Sequence, residues 1–137
     1  MYVQEVASSK PMNIYPKSNS YQLDGMSTQR AQKWHDTLYE DTLYLLSIIN
    51  TFSASMPDEI VDMGLNGLNE IEQRVNTLDC PEAVQIVRWH LLNAISDMSQ
   101  ALNYTLSAQQ KRADAYNHAA KIEMGFFDIE LLRLGLS

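Results

Sequence analysis

Two stretches set a tryptophan and a histidine side by side with a carboxylate downstream: "KWHDTLYED" at residues 33–41 and "RWHLLNAISD" at residues 88–97. Imidazole and carboxylate on one helix face suit several divalent metals and can relay a proton or a phosphoryl group. They can also simply hydrogen-bond at the edge of a core. His90 and Asp97 are seven residues apart, which places them on the same side of a helix, and His35 borders an apolar stripe in the same way. The clearest metal signature of a helical bundle, Glu-x-x-His on two helices, is absent. The residues three before His35, His90 and His118 are Gln32, Val87 and Ala115. A looser metal or small-ligand site would combine His90, Asp97 and Asp41 with inward acids of the last helix. Glu123 is the foremost of those acids, because it falls amid the apolar positions Tyr116, Ala120 and Phe127. A carboxylate there must be paired, hydrogen-bonded or protonated, and Arg112, Arg74 and Arg88 are the expected partners.

Phosphotransfer through His90 would need an exposed imidazole with positive charge beside it. In size, acidity and helix number the chain is similar to histidine phosphotransfer domains. Those domains carry a Lys and a Gly just after the histidine, where "HLLNAIS" has Asn93 and Ala94. Cys80, the sole cysteine, precedes a helix, a position that lowers a thiol pKa, but no histidine or asparagine stands nearby to complete a catalytic pair. Glycine-rich phosphate loops, Gly-x-Ser-x-Gly and His-Glu-x-x-His are all missing. The sequence therefore implies no cofactor and no catalytic residue.

The elements that must position these residues are helices. Trp34, Leu38, Leu45, Ile49 and Phe52 form one stripe over residues 27–54, interrupted by Asp41 and Thr42. Ser55 with Asp58, and Pro57 in the first turn, signal a second helix burying Val61, Leu65, Leu68, Ile71, Val75 and Leu78. Gly64 and Gly67 within it point to a close crossing. "DCPE", with Asp79 and Glu82, opens a third helix that buries Ala83, Val87, Leu91, Ala94, Met98, Ala101 and Leu102. Its stripe continues without Gly or Pro through "SAQQKRAD", but one helix over residues 81–134 would run ~80 Å and overshoot its neighbours. A break is therefore expected, with Ser107 and Gln110 as a capping box. The fourth helix, residues 108–134, turns Tyr116, Ala119, Ala120, Phe127, Leu131 and Leu134 inward and stops at Gly135.

The expected fold is all-α: an antiparallel up-down four-helix bundle over residues 27–137, preceded by an extended arm, residues 1–26. The arm's Tyr2, Val3, Val6, Met12, Ile14, Tyr15, Tyr21 and Leu23 are too apolar for a solvated linker.

A net charge of −7, from 10 Lys and Arg against 17 Asp and Glu, argues against nucleic acid and anionic membranes as partners. The N-terminus lacks the apolar run of a signal peptide, and no stretch approaches the ~20 apolar residues of a membrane span. A cytoplasmic location is expected. Trp89 shares the outward face of its helix with Leu92, near Ile86, while Tyr39, Leu43 and Tyr44 fall outside the main stripe of the first helix. Apolar residues on a second face call for a cover. The sequence thus points to a non-catalytic helical protein that works by protein–protein association, as a homo-oligomer or with a protein partner. Ligand or metal binding is the alternative, and phosphotransfer comes third.

Overall fold

The computed structural model describes residues 25–136, and their side chains from residue 27 onward. The described chain is all-helical and contains no strand. Its five α-helices are α1 (Gly25–Thr37), α2 (Tyr39–Thr51), α3 (Asp58–Thr77), α4 (Gln85–Leu106) and α5 (Gln110–Arg133), with a 3₁₀ turn at Glu82–Val84 leading into α4. The expected arm lies outside the described residues up to residue 24; Gly25 and Met26 already belong to α1. No helix among the described residues is long and apolar enough to cross a membrane.

The core is organised around α4 and α5. Val87, Leu91, Ala94, Met98, Ala101 and Thr105 are buried on α4, and Ala113, Asn117, Ala120, Met124, Phe127 and Leu131 on α5. Both sets repeat at alternating intervals of four and three, the spacing that lets side chains of two helices interlock. The two helices run antiparallel. His90 meets Glu123, Met98 meets Asn117, and Tyr104 stacks on Tyr116 at 5.6 Å near the connecting turn. On its other sides α4 also buries Leu92, Ile95 and Leu102, so it is enclosed by more than one neighbour. The same alternation appears in α3 at Val61, Gly64, Leu68, Ile71 and Val75.

The first expected helix is two. Leu38 stands outside both α1 and α2 with φ −99° and ψ 7°, its N–H shared between the carbonyls of Trp34 and His35 at 3.3 and 3.2 Å. The cause is local. The Thr42 hydroxyl donates back to the Leu38 carbonyl at 3.0 Å, and Thr37 does the same to Lys33 at 2.7 Å; such back-bonding bends a helix. Burial nevertheless stays in phase across the bend, through Ala31, Trp34, Leu38, Thr42, Leu45 and Ile49.

The expected caps differ from the observed ones. α2 stops at Thr51, three residues short of expectation, and Ser55 bonds to Ser53 at 2.9 Å rather than capping α3. Pro57 is the N-terminal flanking residue of α3, with Asp58 and Glu59 in the first turn, where negative charge suits the helix dipole. Neither Asp79 nor Glu82 caps α4, which begins only at Gln85. Ser107 ends α4 rather than starting α5, and its hydroxyl turns back to the Asn103 and Tyr104 carbonyls.

The break between α4 and α5 is a Schellman turn. Gln109 N–H donates to the Tyr104 carbonyl at 2.9 Å and Ala108 N–H to the Thr105 carbonyl at 3.1 Å, with Ala108 in the left-handed region at φ 58°. Glycine is the usual residue there. The end of α5 repeats the motif with Gly135 at φ 72°. Leu136 N–H reaches the Leu131 carbonyl at 2.9 Å, and both leucine side chains are buried.

The expected inward set of α5 is shifted. Tyr116, Ala119 and Leu134 are only partly buried, while Ala113, Asn117 and Met124 are enclosed. Asn117 is buried for a reason, since its side-chain amide donates to the Ile49 carbonyl at 3.1 Å. That carbonyl belongs to the last turn of α2 and has no partner within its own helix. The glycines of α3 do mark close approach. A methyl group on Gly64 would come within 3.0 Å of Leu102, and one on Gly67 would strike the Tyr44 ring, 2.6 Å from Cε2.

Two substitutions test these end contacts by chemical denaturation. Ala108→Gly relieves a left-handed residue and is expected to raise stability by about 1 kcal/mol, as a higher midpoint at unchanged slope. Asn117→Ala strips a buried carbonyl of its donor and is expected to lower stability by about 1–3 kcal/mol.

Candidate functional site

Glu123 stands one residue before the seam residue Met124, and His90 one before Leu91. Because α4 and α5 are antiparallel, these two flanking positions face each other. His90 Nδ1 lies 2.7 Å from Glu123 Oε1, so an ionised Glu123 accepts the Nδ1–H proton and fixes the tautomer. Asp97 sits two helical turns along α4 on the same side. Burial, and then the negative charge of Glu123, push its carboxyl up from 3.8 to about 6. Of the four residues expected to gather, His90 and Glu123 are in contact, and Asp97 stands further along α4 within reach of the Glu123 charge.

Aromatic rings close this cluster. Phe126 stacks on the His90 imidazole at 5.5 Å with 23° between planes, and Trp89 meets it edge-on at 5.1 Å. His90 is 5% exposed. Phosphotransfer needs an imidazole open to its donor, a condition that this side chain does not meet.

Asp41 is elsewhere. It takes a two-pronged bond from Arg74, Nε to Oδ2 at 2.9 Å and Nη2 to Oδ1 at 2.7 Å, which ties α2 to α3. The carboxylate raises the Arg74 pKa, chiefly through that hydrogen bond. The arginines expected beside Glu123 are all engaged at other places. Arg88 donates to Asn76 at 3.0 Å, and Arg112 lies over the Tyr104 ring at 5.6 Å. Among the described residues no three His, Cys, Asp or Glu side chains are grouped so as to hold a metal ion. The Cys80 thiol is pushed up by burial, which outweighs the opposing pull of Arg88; a thiol held protonated is a poor nucleophile.

The other Trp-His pair arrives at the same helix. His35, 4% exposed, meets Tyr39 edge-on at 6.2 Å and tilts against Phe127 at 6.5 Å. Burial raises the carboxyl pKa of the next residue, Asp128, and the nearby His35 pulls it back down. "FFD" on α5 thus serves both imidazoles, Phe126 facing His90 while Phe127 and Asp128 face His35.

Of the residues expected to form an interaction surface, Tyr39, Leu43 and Tyr44 are exposed, with the Tyr44 ring lying over Gly67. Trp89 and Ile86 are partly buried. Leu92 is a correction: at 3% exposure it belongs to the core, because α4 is enclosed on more than one side. The outer face of α5, absent from the expected surface, carries Ile122, Phe126, Ile129 and Leu132 at 48%, 49%, 54% and 77% exposure. Their spacing of four, three and three is visible in the sequence, but a single inward stripe is what periodicity assigns to such a helix.

No family model matches the chain, and no curated protein or solved structure matches it.

The Asp97 carboxyl gives the site a pH signature. The folded chain keeps this proton where the unfolded chain has released it, so stability falls as pH rises from about 4 through about 6. Asp97→Asn, which mimics the protonated form, is expected to raise the melting temperature at pH 7.5. The gain should shrink toward zero below pH 4, and thermal melts across that range measure both.

Proposed function

We propose that the chain is a non-catalytic association module, and that it self-associates. Its architecture is read as an up-down four-helix bundle in which α1 and α2 together form one bent rod. The observation that carries the functional reading is the pair of apolar faces on α5. The inward face is the seam with α4, and the outward face leaves Ile122, Phe126, Ile129 and Leu132 in solvent. Apolar side chains repeated along one outer helix face are a costly surface for a monomer. Tyr39 and Leu43 on α2 add a second exposed apolar area.

The chemistry at His90 supports this reading. Its imidazole is enclosed, hydrogen-bonded and walled by rings, which suits a group holding two helices together. A small-ligand site at Glu123, His90 and Asp97 is the second reading, favoured by one observation, the Asp97 carboxyl held near 6 beside Glu123. Perturbed carboxyls of that kind accompany binding sites as well as structural pairs. The proposed location, cytoplasmic, rests on the sequence pattern alone.

Native mass measured from a neutral volatile buffer separates the readings. A whole-number multiple of the 15.6 kDa chain is expected. A single-chain mass up to about 100 μM, a weak-affinity limit, would remove self-association. Extra mass lost on denaturation would favour the ligand reading.

A further inference from the structure

We propose that the outer face of α5 pairs with the same face of a second copy of this chain, antiparallel, about a two-fold axis that crosses this face between Ile122 and Gly125, level with residues 123 and 124. This rests on the self-association reading and names its surface and partner.

The outer face has a heptad order of its own. Ala115, His118, Ile122, Gly125, Ile129 and Leu132 follow one another at alternating intervals of three and four, and all are exposed. They lie opposite the inward seam. In an antiparallel pairing of two such helices, each core residue meets one from the other end of the partner's stripe. With the axis level with residues 123 and 124, Leu132 meets Ala115, Ile129 meets His118, and Ile122 meets Gly125. Every layer sets a branched residue against a different, mostly smaller one. Nearest the axis the flanks agree in the same register: Phe126 falls opposite Ala119 on one side, and Lys121 falls opposite Asp128 on the other, while at the ends Arg133 comes opposite Arg112. Lys121 and Asp128 are exposed, with His35 close to Asp128 on its inner side. Charge and size are thus complementary over the central layers of this offset, and at its ends Arg133 is held by Glu130 of its own helix and Arg112 by the Tyr104 ring.

Gly125 supplies an independent observation. Inside a helix glycine costs about 1 kcal/mol relative to alanine, and Gly64 and Gly67 each have a neighbour that explains the missing side chain. Around Gly125 a Cβ would meet nothing within 4 Å. Nothing among the described residues accounts for a glycine there, whereas a partner helix carrying Ile122 into that layer would use the space.

Sedimentation of the full chain and four variants tests the pairing. Wild type should sediment as a dimer. Gly125→Leu should shift it to monomer with helix content and melting temperature of the subunit kept or raised, since the position is open. Lys121→Asp alone and Asp128→Lys alone should each weaken self-association by roughly tenfold at low salt, as two pairs of like charge are created. The two mixed should form a heterodimer, because both opposite-charge pairs are then restored. Lys121→Asp with Asp128→Lys in one chain should likewise recover the dimer. A wild-type dimer untouched by Gly125→Leu would overturn the α5 pairing and leave self-association standing. A dimer lost with Gly125→Leu but showing no heterodimer on mixing would overturn the two-fold register. A wild type that remains monomeric would overturn pairing and self-association together.

Discussion

The interlocking of α4 with α5 is the constraint on which the other features depend. Six positions on each helix, spaced alternately by four and three, fill the seam from Val87 to Thr105 and from Ala113 to Leu131. At about 25 cal/mol for each Å² of apolar surface removed from water, this seam, the most extensive contact between two helices among the described residues, is a major favourable contribution to folding. Once the two helices are locked antiparallel, the flanking positions are no longer free. His90 must face Glu123, Phe126 must cover the imidazole, and Asp97 must share the field of Glu123. The cluster with the most chemical character is therefore a by-product of packing geometry, placed at the margin of a seam that aliphatic and small residues define.

Polar groups then specify what the apolar seam leaves open. An aliphatic interface tolerates a slip of one heptad more readily than one that includes a hydrogen-bonded amide. Asn117 reaches a carbonyl of α2 as well as the Met98 sulfur at 3.5 Å, so it fixes three helices at once. The Arg74 to Asp41 pair joins α2 to α3 near the surface. Arg74 is half exposed, which leaves that ion pair worth at most about 1 kcal/mol; its value lies in orientation. The enclosed histidines act in the same sense, each resting on one of two consecutive phenylalanines of α5.

Much of the helical pattern was legible in the residues, and the parts that were not have identifiable physical reasons. Periodicity disclosed the core of α3 and α4, with Trp34 inside, and length alone implied a turn near residue 107. Side-chain capping was the weak guide. Ser55, Asp79 and Ser107 all have the right chemistry for a cap, yet α3, α4 and α5 begin without a side-chain capping bond. Ala108 carries no sequence mark of a left-handed residue, since glycine is what ordinarily announces one. The bend at Leu38 was hinted at by Thr42 breaking the stripe, although a threonine that bonds back to its own helix looks no different in sequence from one that faces solvent. Glu123 was recognisable as an acid in need of a partner, while the identity of that partner depended on which flank of α4 came opposite. Leu92 was misplaced because a helix packed on several sides does not have the single outward face that a simple bundle assigns to it.

The amide of Asn117 also bears on how α2 ends. α4 and α5 are joined by a turn of a few residues, so their contacts close a short loop and can form early. The bond from Asn117 to Ile49 spans 68 residues of chain and closes a far longer loop, at a higher entropic cost. Without it the last turn of α2 keeps an unsatisfied carbonyl and is prone to fray. The end of the second helix is thus defined by the fifth, and α2 keeps its final length only while α5 is in place.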